Sequence, residues 1–218
     1  MARHKFNIGF TLPEVLITLT VIGVVSSITI PSLTANKQEI ETKTKIKKIY
    51  SDYTAATQRY YLDNSILLQD DDYEDIDILR EYFLLTYFSY QKDCYLESCT
   101  DEEITYKTYD GKNQYSGLSL TGSNDLALIL NDGSAIYYSA NGETHFDING
   151  PYTSPNVLGK DLFYFYYNYN GDGKLIPGGE LPIRIPRLKE KYNLCNSSRD
   201  GKNYKGYNGR GCTKEMLE

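Results

Sequence analysis

Gly9-Phe10-Thr11-Leu12-Pro13-Glu14-Val15-Leu16-Ile17-Thr18-Leu19 opens a run that stays apolar to Leu33 and holds one charged residue, Glu14. A helix rises about 1.5 Å per residue, so a run of this length crosses roughly 30 Å of hydrocarbon. Residues 10–33 are therefore expected to form a membrane helix. Arg3, His4 and Lys5 precede it, a positive leader that a secretory signal peptide would share. Two features argue against ordinary signal peptidase: the apolar run is too long, and the nearest small-residue triplet, Leu33-Thr34-Ala35, lacks a small first residue.

The same residues resemble the prepilin N-terminal cleavage and methylation motif of type IV pilins and type II secretion pseudopilins. The resemblance rests on a basic leader ending in Gly9, an aromatic Phe10 after it, an acid at Glu14 and a long apolar continuation. It implies that a membrane-embedded aspartyl peptidase, the prepilin peptidase, cuts between Gly9 and Phe10 and methylates the new terminus. It also implies other pilin or pseudopilin subunits and an inner-membrane assembly platform as partners, with membrane lipid around the helix.

Elementary electrostatics reads the acid in a compatible way. A carboxylate about one turn inside a membrane helix is costly unless it finds a partner. The α-amino group that cleavage would create at Phe10 of a neighbouring subunit is the best partner, because pairing offsets the desolvation of both charges. The plainer account is a Glu at a helix N-terminus, favoured by the macrodipole. Pro13 falls where a helix has no use for its backbone N–H. Pro31 lies deeper, freeing the carbonyl of Ser27, so a kink or local melting is expected there, with Ser26, Ser27 and Thr29 available to re-satisfy the backbone. Counted from Phe10, Pro31 occupies a place where many type IV pilins also carry proline, and the resemblance gives it a part in assembly.

Charge counting opposes export. Lys37, Lys43, Lys45, Lys47 and Lys48 follow the helix and outnumber Arg3 and Lys5 before it, which would place the following part inside. The leader and the cysteines both require export, and they decide the expected topology. The chain should be a single-pass inner-membrane protein with its head outside the cytoplasm, then part of a periplasmic or cell-surface filament.

At 218 residues the chain supports one globular core plus appendages. Lys+Arg 23 against Asp+Glu 29 leaves a net charge of −6, so avid binding to nucleic acid is not expected. Tyrosine is abundant, 22 residues, while Trp is absent, a composition suited to strands that cover a sheet.

Residues 34–62 continue the helix as an amphipathic rod. Ile46, Ile49, Tyr50, Tyr53, Thr57 and Tyr60 recur at three- and four-residue spacing, so one face should pack on a sheet. Residues 63–218 read as the head. A short helix is expected over Ile76–Tyr90 with Ile78, Leu79, Tyr82, Phe83 and Leu85 inward. Strand signals follow at 104–109, 115–120, 126–130, 135–139, 144–148, 162–167 and 174–176. Asn131-Asp132-Gly133-Ser134 marks a hairpin, Asn141-Gly142 a turn, and Asn170-Gly171-Asp172-Gly173 a further hairpin. The C-terminal residues, rich in Gly, Asn and Lys, read as loop. The fold class is α+β and pilin-like: a long N-terminal helix packed on an antiparallel sheet.

Cys94, Cys99, Cys195 and Cys212 all fall in the head, as expected for a domain folding in an oxidising space. Four cysteines allow three pairings. Local pairing, Cys94 with Cys99 and Cys195 with Cys212, is the expectation, and the second bridge would resemble the C-terminal disulfide loops of many pilins. Zinc is the rival, but neither spacing is C-x-x-C and His145 is the only histidine beyond the leader.

Type II pseudopilins can carry calcium in a loop beside the sheet, and by that resemblance Asp147, Asn149 and Asp161 could supply hard oxygen ligands for Ca2+. The simpler reading of the same residues is a set of Asx turns. Asn168, Asn170 and Asp172 resemble half an EF-hand loop, with Gly179 where the bidentate Glu belongs. For catalysis there is no nucleophile elbow, no phosphate-binding loop and no H-E-x-x-H. His145 sits in a strand signal, and Glu102-Glu103 would point to opposite sheet faces. A non-enzymatic filament subunit is the first reading. The alternative is a membrane-anchored extracytoplasmic binding module outside any filament.

Overall fold

The computed structural model describes residues 10–68, 76–95, 104–112, 114–115, 118, 125–139, 143–168, 173–180, 195 and 209–218. The leader, Gly9 included, lies outside them. The chain divides into two compact units, Met1–Glu41 and Thr42–Glu218, and helix α1 (Leu12–Asn64) begins in the first and ends in the second.

In the first unit α1 is apolar and uncovered. Leu12, Ile17, Ile22, Ile28 and Leu33 are each more than half exposed. The hydroxyls of Thr18, Thr20, Thr29 and Thr34 turn back onto the carbonyls of Val15, Leu16, Val25 and Ile30 at 2.8–2.9 Å. Such bonds satisfy these hydroxyls without water, as a hydrocarbon setting requires. The helix runs unbroken through Pro31, so the melting expected there does not occur. Ser27 and Thr29 donate to the carbonyls of Val24 and Val25 rather than to the backbone opened by the proline.

In the second unit α1 becomes a core element. Ile46, Ile49, Tyr53, Ala56 and Tyr60 are buried, a three-and-four spacing that sets one stripe against the sheet. Among the described residues the sheet has six strands, β1 (Tyr90–Asp93), β2 (Asp125–Leu130), β3 (Ala135–Ser139), β4 (Glu143–Asp147), β5 (Leu162–Tyr167) and β6 (Leu175–Pro177). They are ordered β1-β2-β3-β4-β5-β6, each antiparallel to the next. The register sets Leu128, Ile136, Phe146 and Phe163 in one row, and all four belong to the core that includes the α1 stripe. The Tyr53 ring lies 6.2 Å from Tyr138 and 5.7 Å from Phe146, while Tyr50 stacks on Phe165 at 5.7 Å.

The alternate residues face a second core. Ala127, Ala135, Tyr137, Leu162 and Tyr164 pack with Tyr106, Tyr115 and Leu158. Because both faces are covered, β5 reads as an unbroken apolar and aromatic run, the pattern of a doubly buried strand. Period-two alternation fixes the register, since a slip of one residue would exchange the two cores. The turn between β2 and β3 uses Gly133 at φ 84°, with Leu130 N–H donating to the Ser134 carbonyl at 2.8 Å.

The architecture is the expected α+β one, and several details differ from the sequence reading. The head helix α2 is composite: Ile76–Ile78, a π-helical Leu79–Leu84, then Leu85–Tyr87. The Thr86 hydroxyl donates five residues back, to the Glu81 carbonyl. This wider turn shifts the buried face to Leu79, Phe83 and Leu84. Ile78 and Tyr82, expected inward, are 36% and 64% exposed. Tyr90 leaves the helix for β1, a strand without a clear alternation signal, with exposure pattern exposed, exposed, exposed, half-buried. The strand expected at 104–109 reduces to isolated bridges from Lys107 to Gln114 and Val157. Residues Asn141-Gly142 and 169–172, and most of 115–120, lie outside the described residues. The last residues form a helix, α3 (Cys212–Leu217), while residues 201–208 of the Gly-, Asn- and Lys-rich stretch expected to be loop lie outside the described residues.

Candidate assembly site

Helix α1 begins with the acidic half of a capping box. Thr11 precedes the first helical residue, and Glu14 stands three places on. The Glu14 Oε2 accepts the Thr11 backbone N–H at 2.8 Å and the Thr11 hydroxyl at 2.7 Å. One acidic side chain thus satisfies a backbone donor that the helix leaves open. Both bonds fall on one oxygen, and among the described residues no bond is made to Oε1. Phe10 is 88% exposed and next to this pair in sequence. Thr11 and Glu14 form a T-x-x-E pattern, a sequence signal of a helix start.

Loop residues 147–161 surround a second polar cluster, in the head. The Asp147 Oδ1 accepts the Asn149 and Gly150 N–H groups at 3.1 and 2.8 Å, and its Oδ2 accepts the Tyr106 hydroxyl at 2.6 Å. Asp161 accepts the Asn156 and Val157 N–H groups at 2.7 and 2.6 Å. The Asn149 amide donates to the Thr153 and Ser154 carbonyls. Burial pushes the Asp147 carboxyl up to about 7, with hydrogen bonds from Tyr106 pulling the other way and the Asp161 charge adding to the rise. Burial also raises Asp161. Every carboxylate oxygen here already faces an N–H or O–H donor. Among the described residues no group of three His, Cys, Asp or Glu gathers that could hold a metal ion. These bonds close the loop through Asx turns, while the Oδ1 atoms of Asn149 and Asn156 are buried with no hydrogen-bond partner among the described residues.

At the far side of the second core a cationic side chain is buried where the sequence offered only loop. Arg210, 2% exposed at its side chain, meets Glu143 in two parallel bonds of 2.9 and 3.2 Å. Its Nε donates to the Tyr115 hydroxyl at 3.0 Å, and its guanidinium lies 4.2 Å from the Tyr164 ring centre. Burial works against the Arg210 charge, yet Tyr115, Glu143 and Tyr164 hold its pKa above the ordinary value. The Tyr115 hydroxyl also bonds the His145 Nε2 at 2.7 Å. His145 is fully buried in β4, and burial, then the Arg210 cation, lowers its pKa well below the ordinary value. A neutral imidazole walled in by aromatic rings is a packing residue. Cys212, two places beyond Arg210, is bonded to Cys195. Cys94 is disulfide-bonded, and Cys99, expected to be its partner, lies outside the described residues.

Among the described residues one helix, α1, is long and apolar enough to cross a membrane. A family model described as the prokaryotic N-terminal methylation motif matches residues 5–30. No curated protein matches the chain, and neither does any solved structure. The motif is the hallmark of the prepilin-type signal of type IV pilins and pseudopilins. With the apolar helix it fits a single-pass membrane-anchored protein carrying a head domain.

Proposed function

We propose that this prepilin-type chain is a structural subunit of a type IV pilus-like or type II secretion pseudopilus filament, with no catalytic role. Prepilin peptidase would cut between Gly9 and Phe10 and methylate Phe10. The observation that carries the reading is the pairing of an uncovered apolar helix with one charged group at its entrance. Lipid covers such a helix in the membrane, and only other apolar helices can replace lipid once the subunit leaves it.

Glu14 serves both states. Thr11 holds its Oε2 within the subunit, and its Oε1 accepts the methylated amine of Phe10 from a neighbour. The acid then needs no water in the filament interior. The inner-membrane assembly platform and the surrounding lipid complete the partners, and the head lies outside the cytoplasm.

The test is mass spectrometry of the native chain joined to an assembly assay. A chain starting at N-methyl-Phe10, together with loss of filament incorporation in Glu14→Ala, is the expected result. A chain that keeps its leader beside an active prepilin peptidase, or a Glu14→Ala protein that polymerises normally, would overturn the reading in favour of a plain membrane anchor.

A further inference from the structure

Hydrogen bonding in α1 stops short of the bond that processing would break. The helical ladder opens with the Val15 N–H donating to the Thr11 carbonyl at 3.2 Å, and among the described residues no backbone bond reaches back to Phe10. The Thr11 N–H, which a longer helix would turn toward the Asn7 carbonyl, is taken instead by the Glu14 carboxylate at 2.8 Å. Pro13, the second residue of α1, has no N–H to give. In an α-helix the carbonyl of residue 9 has one backbone donor, the N–H of residue 13. In this chain those residues are Gly9 and Pro13. A helix continued backward would leave the Gly9 carbonyl without its donor and drive it against the proline ring. At Pro31 the turns on both sides carry α1 through unbroken. At Pro13 the turn to be gained contains Gly9, itself a poor helix former, so the proline prevails.

We propose that Pro13 is a positioning residue for the processing reaction, holding the Gly9–Phe10 peptide bond out of α1 with the Gly9 carbonyl open to the peptidase. This rests on the prepilin reading above and adds the residue that presents the cut site. In the cut, water adds to the Gly9 carbonyl carbon, the C–N bond to Phe10 breaks, and a proton passes to the departing Phe10 amine. Negative charge builds on the Gly9 oxygen on the way, and that oxygen must be free to accept donors from the peptidase. A helical Gly9 would keep it bonded to residue 13. The need is sharpest at a membrane surface, where a backbone carbonyl short of water closes onto the nearest helical N–H.

Cleavage of the full-length chain in detergent by a purified prepilin peptidase tests this, together with carbon-13 NMR of the Gly9 carbonyl. Gly-Phe occurs once in the sequence, so carbonyl-labelled glycine combined with nitrogen-15 phenylalanine marks the scissile bond alone. Pro13→Ala should move that carbonyl signal toward the helical position. It should also raise KM with kcat unchanged, because only the open fraction binds. Proline disfavours a helix interior about 150-fold relative to alanine, and glycine about fivefold. With Gly9 still resisting, KM should rise by about tenfold. Pro13→Gly restores the N–H on a residue that disfavours helix, and should bring KM back to within about threefold of wild type. An unchanged KM in Pro13→Ala overturns the inference, as does a fall in kcat alone. A raised KM with an unmoved Gly9 signal also overturns it and makes the proline ring a direct contact of the peptidase. Wild-type chain cut normally in these cases leaves the prepilin reading standing, whereas wild-type chain that is never cut overturns that reading and this inference together.

Discussion

Asp147→Asn should flatten the pH profile of head stability between about pH 4 and pH 7. Burial takes the Asp147 carboxyl from its ordinary 3.8 to about 7. The folded state therefore holds the proton more tightly than the unfolded state does. This group's contribution is full below about pH 4 and is lost as pH rises through about 7. A shift of about three units corresponds to a loss of about 4 kcal/mol across that window. Asp161, raised by burial, acts in the same direction. Asp132 acts oppositely and lower on the scale: burial raises it, but hydrogen bonds from Lys48 and Ser134 overcome this and bring it to about 2. Its contribution is present above about pH 4 and fades as pH falls toward 2; buried neutral His145, its pKa well below the ordinary 6.5, likewise contributes stability that is lost as pH falls below about 6.5, so the Asp147 effect is read from the difference between variant and wild type. An asparagine at 147 keeps an oxygen for the Asn149 and Gly150 N–H groups and turns its amide toward the Tyr106 hydroxyl. That hydroxyl retains its 2.8 Å contact with Tyr137. The assay is urea unfolding of the detergent-solubilised protein at pH 4, 5.5 and 7.5, followed by near-ultraviolet dichroism of the tyrosines, with chelator present. A variant that keeps the wild-type slope between pH 4 and pH 7.5 refutes the reasoning. Millimolar calcium should leave both profiles in place, and a calcium-dependent gain at pH 7.5 confined to the wild type would put an ion back between Asp147 and Asp161.

Phe146→Ala removes a fully buried ring that touches Tyr53 and Phe165 and should destabilise the head by about 3–5 kcal/mol in the same urea assay. Gly150→Ala should be destabilising and resist rescue, because its backbone sits at φ 78° and the new Cβ would meet the Gly133 carbonyl oxygen at 2.1 Å. Thr11→Val deletes the hydroxyl bond to Glu14 while keeping the backbone one. Cleavage before Phe10 should proceed at the wild-type rate, measured by leader loss on gels, while filament yield falls below wild type. Equal filament yield would remove Thr11 from assembly.

What the sequence determined by itself is whatever rests on neighbours along the chain. The apolar run from Phe10, the lone acid at Glu14 and the T-x-x-E box depend on spacing within a turn or two of one helix. The same holds for the Asp132-Gly133 turn, where a hydrogen-bonded reversal needs only four residues, and for β3 and β5, whose side-chain alternation is intrinsic to a strand. The buried stripe of Ile46, Ile49, Tyr53 and Tyr60 was legible for the same reason, since periodicity survives without knowledge of what it packs against. Tertiary structure alone decided the rest. Tyr90–Asp93 is a strand because β2 offers an edge, and Tyr82 faces outward because a π-turn rotates α2 against the core. Asp147 has a raised carboxyl because the fold buries it, with the charge of distant Asp161 adding to the rise. Arg210 sits buried because Glu143, 67 residues away, meets it across the end of the sheet. Long-range burial and charge pairing arise only when remote segments meet, and no local pattern around Arg210 records that meeting.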